Sequence, residues 1–276
     1  MRIVMPLFQF GYLGSEPFYF SGNQLSIENF NAAEEIPNVD LFSKYDVDQM
    51  DLESWALVFE HDDIVGYRSK VNLLLLSFKI FSQGKPPFIK YRLCKEDIRQ
   101  CSRLTSTMTY IHEFEKERLP YHKEDLSVID RGFEALVEMD AISIRCHNAL
   151  YFLFLAFNTI SWIGSFMFLM NNLESIFSKD KPGGATKTIC TRVSSFLKLE
   201  PAYEYEDIEH LYEIRSRIVH GNIVASEKPG ENLKELYYLQ NVVLECMKKF
   251  LSEKIYLKLR DKKSRDSYLG TLNISN

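Results

Sequence analysis

The pattern of apolar and polar positions changes partway along the chain. Up to about residue 121 the apolar runs are short, rich in aromatic and β-branched residues, and separated by Gly, Ser, Asn, Asp and Pro. Such runs are typical of strands, and together they predict a small antiparallel sheet. The predicted strands are residues 3–10, 18–20, 24–27, 55–59 and 88–93. Residues 70–81 are so uniformly apolar that periodicity does not distinguish a buried helix from a strand, and both interpretations stay open.

Beyond about residue 130 the apolar residues recur at helical spacing. The predicted helices are residues 130–157, 160–177, 186–197, 205–219 and 232–259. A charge-dense segment with Pro120, residues 113–125, separates the two patterns and is the candidate domain boundary. A chain of 276 residues is also near the length at which one core commonly becomes two. We therefore predict an α+β protein, with a strand-rich N-terminal domain of unknown role (1–125), an all-α bundle (126–265) and a C-terminal tail (266–276).

The fourth predicted helix carries a charge on its apolar face. At 100° per residue, Arg215 falls in the middle of an apolar stripe, and His220 follows just before Gly221-Asn222, a pair suited to a left-handed helix C-cap. The stripe consists of Ile208, Leu211, Tyr212, Ile218 and Val219. Burying a guanidinium without partners is costly, so Arg215 should be paired, or should face a second protein surface or an anionic ligand. An arginine and a histidine at a helix end are a candidate phosphate site. A structural arginine plus a histidine that interacts with the helix dipole is the alternative.

Composition and charge narrow the function classes. The net charge of −5 gives no overall field that attracts nucleic acid, so RNA binding would need a local patch or a partner. The five scattered cysteines lack a C-x-x-C spacing, which predicts reduced, mostly buried thiols in a cytoplasmic protein, with no zinc site and no disulfide framework. Nucleotide-binding and metalloprotease motifs are also missing from the sequence, so we predict neither a cofactor nor a metal site.

Residues 148–173 contain no charge, which raises the question of a membrane span. Asn158, Thr159, Ser161 and Gly164 interrupt the run, however. Two buried or amphipathic helices, one ending near Phe157 and the next starting near residue 160, explain it without a membrane.

Three segments in order carry a resemblance to a known family. They are Phe-Leu-Met-Asn-Asn-Leu-Glu-Ser-Ile-Phe at 168–177, a following helix with Arg192, and Ile-Arg-Ser-Arg-Ile-Val-His-Gly at 214–221. Together they resemble the signature of HEPN domains, most closely the Apea-like group, over about residues 130–259. The resemblance implies a HEPN-type all-α bundle that forms a homodimer with its Arg/His helices facing one another across a cleft. Active members are metal-independent endoribonucleases of toxin, antiphage defence and stress systems, and they leave a 2′,3′-cyclic phosphate and a 5′-hydroxyl.

The chemistry assigns roles to the residues of this signature. His220 would transfer protons, and Arg215 would stabilise charge on the phosphate. Ser216 stands where the family often has Asn and offers a hydroxyl to the phosphate. Glu213, together with Glu209, would orient His220 or else be a solvated helix charge. Arg192 should pair with Glu174 inside the bundle, with a direct RNA role as the alternative.

Helix geometry adds a condition to this scheme. Arg215 and His220 lie about 140° apart around an ideal helix, with a rise of about 7.5 Å, and therefore do not share a face. A distortion at the helix end or a symmetric partner chain would be needed to bring them to one phosphate.

We therefore expect an RNA substrate, a homodimer through the Arg215/His220 helix, a cognate inhibitor or sensor partner, and no membrane. A catalytically silent HEPN interaction module, with Arg215 in a structural role, is the alternative function.

Overall fold

The computed structural model describes residues 1–21, 24–37, 41–60, 66–82, 86–104, 119–159, 161–178, 185–198, 204–222 and 232–273. The chain forms two compact units, Met1–Glu134 and Ala135–Asn276. An antiparallel sheet dominates the first unit and helices make up the second, so the protein is of the α+β class, as predicted. Much of the predicted boundary segment, residues 113–118, lies outside the described residues.

The first unit is built on a five-stranded antiparallel sheet of order β2-β3-β4-β1-β5. Its two longest strands, β1 and β4, are buried along most of their length because side chains pack on both faces. The strands are β1 (Arg2–Phe8), β2 (Phe18–Tyr19), β3 (Leu25–Asn29), β4 (Trp55–Glu60) and β5 (Phe88–Ile89). Residues 88–93 were predicted as one strand but form two, because β5 pairs with β1 whereas β6 (Tyr91–Arg92) pairs with β7 (Ser102–Arg103).

In the described residues, three α-helices lie wholly within the first unit: α1 (Ala32–Glu35), α2 (Lys44–Asp51) and α3 (Tyr67–Phe81). The ambiguous run at residues 70–81 belongs to α3. Ten of the fifteen residues of α3 are buried, and a helix surrounded by neighbours can be apolar all round. Burial on nearly every side is therefore the reason that the sequence showed no clear period.

Helix α4 (Lys123–Ile142) begins in the first unit and ends in the second, which contains the later helices of the described residues. These are α5 (Ile144–Asn158), α6 (Trp162–Phe177), α7 (Ala185–Phe196), α8 (Tyr205–Val219), α9 (Asn232–Ser252) and α10 (Lys262–Thr271), with a 3₁₀ helix at Ile255–Leu259. The predictions of α6, α7 and α8 are confirmed within two residues at each end.

Two helix predictions were wrong. The single helix predicted at 130–157 is divided at Ser143, which has an extended backbone and caps α5 by accepting the N–H of Cys146. The helix predicted at 232–259 stops at Ser252, and Lys254 adopts a positive φ of 51° before the 3₁₀ helix. The predicted C-terminal tail is also helical through Thr271, because Asp261 caps α10 by accepting the N–H of Ser264.

The uncharged stretch at 148–173 is shared between α5 and α6, which pack against each other. None of the helices in the described ranges is long and apolar enough to cross a lipid bilayer.

Gly132 of α4 lies where α3 approaches closely. A Cβ atom added there would come 2.3 Å from Cε2 of Phe81 and 2.6 Å from Oγ of Ser77. That Oγ donates a 2.6 Å hydrogen bond to the carbonyl of Ile129 in α4 and has little freedom to move. Close helix packing in the first unit therefore depends on the glycine.

We predict that Gly132→Ala lowers the free energy of unfolding by about 1–3 kcal/mol, because overpacking outweighs the higher helix propensity of alanine. Gly270→Ala in α10 is the matched control, since a Cβ there meets no atom within 4 Å. It should leave stability unchanged or raise it by up to about 1 kcal/mol. Urea unfolding of both variants checks this, and equal effects would contradict the packing argument.

Candidate functional site

Helix α8 carries the candidate site and ends in a well-defined cap. Gly221 has a φ of 71°, a conformation that only glycine adopts without strain. The N–H of Gly221 donates to the carbonyl of Ile218 at 3.1 Å, and the N–H of Asn222 donates to that of Arg217 at 2.8 Å. These two bonds form a Schellman motif, as the Gly-Asn pair predicted. His220 is the C-cap residue of α8.

The buried face of α8 differs from the predicted stripe near its end. Ile208, Leu211, Tyr212 and Ile214 are buried, whereas Val219 is 58% exposed and Ile218 is half-buried. Helix α8 packs on α7 and α6, and its buried residues end at Ile214. Arg215 therefore lies where the packed part of α8 gives way to an exposed final turn.

Arg215 is held by Glu174 of α6. Its Nη2 lies 3.1 Å from Oε1 and 3.3 Å from Oε2 of Glu174. The two side chains are 31% and 29% exposed, so the pair is partly buried but within reach of solvent. The structure thus gives Arg215 the partner that its position on an apolar face required.

The predicted pairing of Arg192 with Glu174 was wrong. Arg192 donates from Nη1 to the carbonyl of Phe177 at 2.5 Å and from Nε to Oδ1 of Asn273 at 3.0 Å. It is only 4% exposed, and burial lowers the pKa of its guanidinium. An arginine that satisfies the last carbonyl of α6 stabilises that helix end, and the direct RNA role considered for Arg192 stays a prediction.

The surroundings of the Arg215–Glu174 pair are short of hydrogen-bond partners. Burial raises the pKa of Glu174, and the opposing effect of the Arg215 charge is smaller. Burial also raises the pKa of Tyr212, with a further contribution from the Glu174 charge. Among the described residues, the Tyr212 hydroxyl and Nε of Arg215 are buried without a hydrogen-bond partner. Leaving such groups unsatisfied is costly, so the site has hydrogen-bonding capacity that its own described side chains do not use.

The remaining predicted residues are exposed. His220 donates its backbone N–H to the carbonyl of Ser216 at 3.0 Å, and both side chains face solvent. Glu213 approaches Nδ1 of His210 at 3.7 Å, and Glu209 accepts from the Tyr205 hydroxyl at 3.0 Å. The partners found for the two glutamates, His210 and Tyr205, lie well before His220 in the helix. The role of Glu213 in orienting His220 stays a prediction.

Helix α8 is continuous from Tyr205 to Val219. Regular helical geometry therefore keeps Arg215 and His220 about 140° apart around the axis. Within one chain the structure pairs Arg215 with Glu174, places Tyr212 near enough for both charges to affect its pKa, and leaves the side chains of Ser216 and His220 exposed. From the sequence, Glu174 was predicted to pair with Arg192 and Tyr212 was predicted only as part of the apolar stripe of α8. Comparisons of the chain with protein-family models, curated proteins and solved structures gave no match.

We predict that Glu174→Gln gains stability relative to the wild type as the pH rises from about 4 to 7. Because the folded pKa of Glu174 is raised above its ordinary value of 4.5, the native state binds this proton more tightly than the unfolded chain does. The resulting stability is present below the unfolded pKa and is lost as the pH rises through the folded pKa. Glutamine removes the titration.

Chemical denaturation of both proteins at several pH values measures this difference. Glu213→Gln is the matched control, since it removes a carboxylate from the exposed face of α8. The measured quantity is the free energy of unfolding of Glu174→Gln minus that of the wild type. The assignment would be contradicted if this difference stayed constant with pH or increased toward acid pH.

Proposed function

We propose that the protein is a metal-independent endoribonuclease of a defence, toxin or stress system, with a HEPN-type bundle as its second unit. The observation that supports this most is on α8, where a partly exposed arginine lies five residues before an exposed histidine at the helix end. This is the arrangement that the resemblance of 214–221 to the HEPN signature would require.

The chemistry needs two groups besides the RNA. The ribose 2′-hydroxyl attacks the adjacent phosphorus, the bond to the 5′-oxygen breaks, and the products are a 2′,3′-cyclic phosphate and a 5′-hydroxyl. His220 accepts or donates the proton, since a histidine side chain can act as a general base or a general acid. Arg215 supplies a permanent charge with a planar fork of donors to the phosphate oxygens. The exposed hydroxyl of Ser216 is a further donor.

Arg215 must leave Glu174 to serve this purpose. Both side chains are about a third exposed, so a phosphate group has access to the guanidinium from solvent. The phosphodiester of RNA carries one negative charge, as a carboxylate does, but the phosphorane that forms during cleavage carries a second, which favours the exchange in the transition state. Glu174 then holds Arg215 ready in the absence of RNA.

A second chain could bring an arginine and a histidine to the same phosphate. Two copies of α8 related by a twofold axis would place Arg215 of one chain opposite His220 of the other, which a single straight helix does not achieve. We therefore propose that the active form is a homodimer through α8. A cognate inhibitor or sensor partner would act by covering or opening this cleft.

A catalytically silent interaction module remains the second candidate. One observation favours it: Arg215 already has a carboxylate partner in its own chain. In that case α8 would serve dimerisation or docking alone, and the Arg215–Glu174 pair would be purely structural.

Substitutions on α8 separate the two functions. We predict that Arg215→Ala lowers the rate of RNA cleavage about 10²–10³-fold, because it removes charge stabilisation from the transition state. His220→Ala should lower it about 10²–10⁴-fold through loss of proton transfer. Initial rates on a labelled RNA oligonucleotide measure both effects.

The helix provides its own controls. Arg217→Ala and His210→Ala remove an exposed arginine and an exposed histidine from the same helix and should change the rate little. Thermal unfolding verifies that each variant is folded at the assay temperature, which matters for Arg215→Ala because it leaves Glu174 unpaired. A chelator should leave cleavage intact. The proposal would be refuted if the wild-type protein did not cleave RNA, or if the target and control variants lost cleavage rate to the same extent.

A further inference from the structure

Two cysteines of the first unit lie together at a hairpin. Cys94 follows β6 and Cys101 precedes β7, and between them lies a 3₁₀ turn at Ile98–Gln100. In the register of the hairpin, Arg92 is opposite Ser102. The antiparallel pairing therefore returns the chain so that Cys101 lies beside the residues that continue β6.

Hydrogen bonds fix this proximity. The backbone N–H of Cys94 donates to Sγ of Cys101 at 3.2 Å, and the Cys101 thiol donates to the carbonyl of Cys94 at 3.4 Å. The sulfur of Cys101 thus rests against the backbone of Cys94. The thiol of Cys94 is directed toward Oε2 of Glu96 at 3.9 Å. A disulfide between the two cysteines requires this thiol to leave Glu96 and turn toward Cys101 by rotation about its Cα–Cβ bond.

Exposure gives the two thiols different roles. Cys101 is half-buried and open to solvent on one side, whereas Cys94 is 1% exposed. This is the arrangement of a thiol that meets an oxidant first and a neighbour that resolves the product. The other three cysteines lie in buried positions of the second unit. Burial raises the pKa of Cys146 and Cys246, and it raises the pKa of Cys190 to about 12.

We infer that Cys94 and Cys101 are a peroxide-sensitive modification site that closes to an intramolecular disulfide. Hydrogen peroxide oxidises the Cys101 thiol to a sulfenic acid and is itself reduced to water. The Cys94 sulfur then attacks the Cys101 sulfur. An S–S bond forms, the S–O bond breaks, and the hydroxide leaves with the Cys94 proton as a second water. Overall, two thiols and one peroxide give one disulfide and two waters.

The disulfide would form next to the central sheet. Leu93, the residue before Cys94, exchanges backbone hydrogen bonds of 2.8 and 2.9 Å with Val4 of β1. Closing the bond ties the start of the turn to its end and replaces the bonds that Cys101 makes to the Cys94 backbone. The site belongs to the first unit and does not depend on the function proposed for α8.

Mass spectrometry of the folded full-length chain tests the inference. The protein is treated with dilute hydrogen peroxide and the remaining thiols are then blocked. After the mass of the blocking groups is subtracted, the intact mass should be about 2 Da below that of the untreated protein. Trypsin cuts after Arg92, Lys95, Arg99 and Arg103, so the two cysteines lie on separate peptides, residues 93–95 and 100–103. The expected product is these two peptides joined by a disulfide that dithiothreitol releases.

Variants provide the control. Cys94→Ser and Cys101→Ser should each abolish the joined product, whereas Cys190→Ala should retain it. The mapping of the wild type needs no variant, so a misfolded mutant does not affect the outcome. Sulfinic acid at Cys101 without the joined peptides, a disulfide with another cysteine, or no loss of thiols would each overturn the inference.

Discussion

The ion pair between Arg215 and Glu174 is the interaction on which the account of the second unit depends. It satisfies a guanidinium on the packed face of α8 and links that helix to α6. The pair is not simply stabilising, because burial raises the pKa of Glu174 despite the charge of Arg215. Breaking a partly buried pair leaves a charge without a partner, whereas keeping it costs desolvation. The buried hydroxyl of Tyr212, also without a partner among the described residues, adds to that cost.

This arrangement divides α8 into a packed part and an exposed part. The helix packs on α7 and α6 and its buried residues end at Ile214, whereas beyond Arg215 the residues up to the cap at Gly221 are exposed except for the half-buried Ile218. Arg215 is therefore positioned by its own chain, whereas His220 is left for solvent or for another molecule. The proposal of a shared phosphate site follows from this division together with the angle between the two residues. A silent module would need the pair but not the exposed histidine.

The residues explain which features the sequence could predict. The bounds of α8 and its glycine cap followed from local signals, a helical period ended by Gly221-Asn222, and the structure has both. The break at Ser143 was missed because the apolar period continues across it, while a single serine cap starts a new helix. The partner of Arg215 was also missed, because several arginines and glutamates of the bundle are chemically equivalent in sequence. Only tertiary packing places Arg192 at the end of α6 and Arg215 beside Glu174.

The central claim is that Arg215 and His220 serve one phosphate across two chains. Mixing the two inactive variants, Arg215→Ala and His220→Ala, tests it directly, because a mixed dimer contains one intact arginine and one intact histidine on opposite subunits. After the subunits have exchanged, RNA cleavage by the mixture should rise well above that of either variant alone. If the mixture stays as inactive as its components although mixed dimers form and bind RNA, the two residues do not act across the interface.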